Sequence, residues 1–124
     1  MSNGSPELMS RDQAEVFAQG LYYLAGVDGI DPREVQLILS FLVEVGYADL
    51  GEKLSADGFD LEAAVQRLNT TFIRRIFLRT AIALVHADGH VSEAERFALQ
   101  IIAKRFGLDA ALEELLASPA AIPE

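Results

Sequence analysis

The chain has 124 residues, with 19 acidic side chains against 10 basic and a formal charge of −9 at neutral pH. That balance disfavours nucleic acid and anionic membrane surfaces, which both reward a basic face, and favours cations and basic partners. There is no cysteine, which excludes disulfides and thiolate chemistry; no apolar run is long enough to span a bilayer, and the N-terminus has no signal-peptide core, so a cytoplasmic setting is expected.

Residues 1–9, with Gly4 and Pro6 among small polar residues, read as a disordered segment. A single helical domain is expected over 10–117, with 118–124 as a flexible tail. Ser10 and Gln13 have capping-box spacing, so the first helix should start near Arg11. Val16, Phe17, Leu21 and Leu24 recur at helical spacing, and Gly20 among them implies close approach by another helix. This helix ends at Asp28-Gly29. The next opens on Asp31-Pro32-Arg33-Glu34, where Asp31 caps, Pro32 suits the first helical position and Glu34 completes the box. Val35, Ile38, Leu39, Leu42 and Val45 form its stripe, closed by Gly46.

A short amphipathic piece near Asp49–Leu54 follows, then a loop through Asp57-Gly58. Asp60 caps a short helix carrying Leu61, Val65 and Leu68. The long helix from Thr71 to about Ala87 is apolar on more than one side, through Phe72, Ile73, Ile76 and Phe77 and through Leu78, Ile82 and Val85. It is therefore expected at the centre of the domain. Ser92 and Glu95 form a capping box for another helix with a core stripe of Phe97, Ile101, Ile102 and Phe106, ended by Gly107. Asp109 caps a last short helix. No segment reads as a strand, and the expected class is all-α, with six to seven helices.

The chain also repeats itself. Residues 17–46 and 77–107 each run apolar helix, Asp-Gly, capped helix, glycine, as expected of two pseudo-symmetric helix-turn-helix repeats sharing a core. Asp28 and Asp88 stand at equivalent points, each just after a helix C-terminus, where negative charge is disfavoured. The second turn, Asp88-Gly89-His90-Val91-Ser92-Glu93-Ala94-Glu95, matches the latter half of an EF-hand calcium loop, with glycine for the turn and Glu95 returning from the first helical turn. Leu84 and His86 replace the first two carboxylates of such a loop, so a complete EF-hand is excluded. Two readings stand: a divalent-cation site pooling Asp28, Glu34, Asp88 and Glu95, with Asp31, Ser92 and His90 secondary, or acidic turns that only cap helices. Calcium is the first candidate ion, with magnesium and manganese next, and no organic cofactor is expected.

With VDGIDPRE and DGHVSEAE both in view, the chain resembles the TerB-like tellurite-resistance family over about residues 12–110. The second motif fits the family pattern at each fixed position. The first is one residue shorter, six positions from Asp28 to Glu34 against seven from Asp88 to Glu95. The resemblance implies a bacterial, non-enzymatic stress-response module with a cation-binding acidic surface and a protein partner.

Other constellations say less. His86 and His90 flank Asp88, but Gly89 should end the helix between them and cancel any zinc-chelating register. Arg67, Arg74, Arg75 and Arg79 are the one basic concentration, read either as partners of acidic helices in the same domain or as a docking patch. No nucleophile–base spacing or phosphate-cradling glycine loop is present, so no catalytic residue is proposed.

Overall fold

A computed structural model describes residues 9–27, 29, 31–55, 58–86 and 91–117, excluding the side chains of 111 and 115–117. These residues form α1 (Arg11–Gly26), α2 (Pro32–Val45), a 3-10 helix (Ala48–Lys53), α3 (Leu61–Arg67), α4 (Thr71–Val85), α5 (Glu93–Phe106) and α6 (Asp109–Ala117). No strand occurs among them, and the all-α class expected from the sequence holds. No helix is long and apolar enough to cross a membrane, among the described residues.

The helix ends follow local chemistry. Ser10 and Gln13 close a reciprocal capping box on α1, Asp60 accepts from the amides of Glu62 and Ala63, and Thr70 accepts from Ile73. Gly46 and Gly107 follow α2 and α5 with φ of 91° and 76°. In that left-handed conformation the next amides, of Tyr47 and Leu108, donate back to Leu42 and Ala103, satisfying carbonyls the helices leave open.

The core is threaded by aromatic rings. Phe41 stacks on Phe17 at 4.7 Å, Phe17 meets Phe77 edge-on at 5.1 Å, and Phe77 meets Phe106 edge-on at 5.8 Å. These contacts couple α2, α1, α4 and α5 in one chain of packing. α4 touches α1, α2, α5 and α6, as a central helix should. α1 shares that position, touching α2, α3, α4 and α5, and is buried without a break from Val16 to Leu21. Gly20 makes this possible: a Cβ there would lie 2.9 Å from the Phe77 ring, the close approach its position in the sequence implies.

Three apolar positions expected in the core lie outside it. Phe72 is 67% exposed, Phe97 64% and Ile101 43%. The buried face of α5 runs instead through Ala98, Leu99, Ile102, Ala103 and Phe106; the two alanines let neighbouring helices come close and turn Phe97 and Ile101 outward. Met9, assigned by composition to the N-terminal segment, is buried. It precedes the N-cap, the place from which an apolar residue staples the start of a helix. Residues 1–8 and 118–124 lie outside the described residues.

Candidate functional site

In sequence, each acidic motif runs into the first turn of a helix, α2 or α5. Asp28, Asp88 and His90 lie outside the described residues; Asp31, Glu34, Ser92 and Glu95 lie within them. At α5 the Ser92 amide donates to Glu95 Oε1 at 3.0 Å, and the Glu95 amide donates to Ser92 Oγ at 3.0 Å. Two amides that the helix cannot satisfy are thereby paired. Glu95 is buried, and its negative charge sits where the helix macrodipole favours it.

At α2, Asp31 accepts from the Arg33 amide at 2.8 Å and from its guanidinium at 2.9 and 3.3 Å. The Arg33 side chain, then the Arg33 amide, holds the Asp31 carboxyl below its ordinary value. Glu34 follows in the first turn of α2, 2% exposed, its amide donating to the Asp31 carbonyl at 2.9 Å. Asp31 and Ser92, secondary in the cation reading, thus both act as N-caps. Among the described residues no three His, Asp or Glu side chains are grouped as metal ligands would be. His86 ends α4 with Nε2 buried and without a hydrogen-bond partner among those residues.

The chain matches no family model, no curated protein and no solved structure.

The four arginines of the basic stretch do different things. Arg74 points inward: Nε donates to the Leu68 carbonyl at 2.5 Å, and one terminal nitrogen donates to Val65 at 2.7 Å. The other reaches the Phe106 carbonyl at 3.5 Å, and the guanidinium lies 5.2 Å from the Phe106 ring centre. One cation thus closes the C-termini of α3 and α5, where positive charge and donors are both favoured. Arg67 and Arg75 are exposed and Arg79 is half-buried. The three salt bridges among the described residues use other arginines: Arg11 with Asp49, Arg33 with Asp31, and Arg105 with Glu62.

Gln19 had no part in the sequence-based site. It is buried on α1, donates from Nε2 to the Lys53 carbonyl at 2.9 Å and accepts from the Ser55 amide at 3.3 Å. It pins the segment after the 3-10 helix to the core. A lone polar residue inside an apolar helical stripe was the available signal, since burying an amide requires such partners.

Proposed function

We propose that this chain is a non-enzymatic, TerB-like helical interaction module of two related helix-turn-helix units, whose acidic turns serve as helix caps. The observation that supports the metal-free form of this reading is the Ser92–Glu95 box, in which the Ser92 hydroxyl and one carboxylate oxygen of Glu95 each accept from a backbone amide. Large apolar side chains left on the surface, such as Leu37, Val43, Phe72, Phe97 and Ile101, support a role in binding other proteins. Used as bait in a lysate of its source cells, the protein should recover the same partners in calcium and in chelator.

The cation-binding form of the reading keeps one specific support. Glu34 and Glu95 are both buried acids at matching positions in the first turns of α2 and α5, each preceded in sequence by an Asp-Gly pair. A partner recovered with calcium and lost on chelation would favour this form and count against the metal-free one.

A further inference from the structure

We propose that the groove between α2 and α4 is a docking site for a basic amphipathic helix of a partner protein, an inference that rests on reading the chain as an interaction module. The groove has a volume of about 380 Å³ and is open along one side. Its floor includes Ile38 and Leu84, both buried. One wall is the α2 stripe of Leu37 and Phe41, and Leu37 is 47% exposed. Phe41 is held rigid by its stacking on Phe17, so the wall is preformed. Ala83 on α4 lines the opposite side and leaves room for an incoming side chain.

Shape and charge select the occupant. Leu37, Phe41 and Glu44 are spaced along two turns of α2, a span of about 10 Å. Two helices flanking an open apolar channel are the setting in which a further helix lays down anchors at i, i+4 and i+7. A small molecule would remain largely in water there, because ligand pockets enclose most of what they bind. Among the described residues, Glu44 is the one charged side chain lining the groove, and it takes part in none of their salt bridges. Thr80 donates its hydroxyl proton to the Ile76 carbonyl at 2.8 Å, which leaves oxygen lone pairs to face the groove. Arg79 stands one turn before Ala83 and does not line it. The lining is therefore apolar with acceptors and a negative charge, complementary to leucines flanked by lysine or arginine. A second copy of the chain would bring a further charge of −9 and another Glu44, so self-association is disfavoured.

The test uses two synthetic peptides of about 15 residues, long enough to be helical when bound. Both carry the same leucine face, one with lysines on the polar face and the other with glutamates. In amide-resolved NMR titrations the leucine/lysine peptide should saturably shift Leu37, Phe41 and Ala83, and the leucine/glutamate peptide should not. Ala83→Gln, which fills the groove from an exposed position without adding charge, should weaken binding by about ten-fold or more, and Glu44→Lys should reverse the peptide preference. Undiminished binding to both variants would overturn the proposal, as would saturable filling of the groove by hexylamine while the peptide leaves it unshifted. Shifts centred on Phe97 and Ile101 would overturn the groove while leaving the interaction-module reading in place. Dimerisation of the free chain that Ala83→Gln abolishes would overturn the choice of occupant.

Discussion

Replacing Glu95 separates a helix cap from a metal ligand. In Glu95→Gln the amide oxygen can still accept from the Ser92 amide, now 3.0 Å away, so the geometry of the box survives. What is lost is the negative charge at the start of α5, worth about 0.3–1 kcal/mol. Glu95→Ala removes the acceptor as well and leaves the buried side of the box unpaired, for a total of about 2 kcal/mol. Ser92→Ala should cost about 1 kcal/mol, and the double variant less than the sum, because the two bonds form one reciprocal unit. Urea unfolding reads these directly: with a slope of about 1–3 kcal/mol per molar, the glutamine variant moves the midpoint by a few tenths molar. The same shifts should appear in calcium and in chelator. A loss above about 3 kcal/mol for Glu95→Gln in calcium that collapses in chelator would refute the capping argument, because only a ligand role links the carboxylate charge to metal.

Arg74→Ala should destabilise the fold by about 2–3 kcal/mol in the same assay, through lost charge-assisted bonds to Val65 and Leu68. Arg75→Ala, at an exposed position, should stay within about 0.5 kcal/mol; equal effects would contradict the division of roles. Gly20→Ala forces a methyl to 2.9 Å from a Phe77 ring held by Phe17 and Phe106. Overpacking of about 1–3 kcal/mol should outweigh the helix-propensity gain of about 1 kcal/mol, so a raised melting midpoint would refute the close packing. Arg33, Arg11 and Arg105 lower the carboxyl values of Asp31, Asp49 and Glu62 from 3.8, 3.8 and 4.5. Their stabilising contribution is then present above those values and lost as the pH falls through the lower folded ones. Glu62→Gln should make stability fall less steeply with acidification, and an unchanged slope would argue against the Arg105 pair.

What was legible in the sequence was local. The caps at Ser10, Asp31, Asp60 and Ser92 and the glycine stops at Gly46 and Gly107 each depend on residues within one helical turn, so spacing alone reveals them. Gly20 was legible for the same reason: a glycine inside a strong apolar stripe has few uses besides close packing. Burial at the edge of a stripe was not. Phe97 and Ile101 continue the period of α5, yet Ala98 and Ala103 set which face meets the core, and that choice belongs to the neighbouring helices. Arg74 sits in a run of similar arginines, and only the tertiary approach of Val65, Leu68 and Phe106 distinguishes it. The groove between α2 and α4 draws its lining from separate helices, and no single-segment pattern contains it. Within the candidate cation set, the motif found Asp31, Ser92 and Glu95 correctly as residues at a helix mouth. Spacing left open whether they serve the backbone or an ion.

The most direct test of the central claim is thermal unfolding of the chelator-stripped protein, repeated with saturating calcium, magnesium and manganese. An ion bound only by the folded chain must raise the midpoint, by an amount that grows with the logarithm of one plus its concentration over its dissociation constant. If the acidic turns are helix caps, the midpoints coincide in all three metals and in chelator. A rise in calcium that grows with concentration and that Asp88→Asn abolishes would contradict that account and make the repeated Asp-Gly turns a cation site.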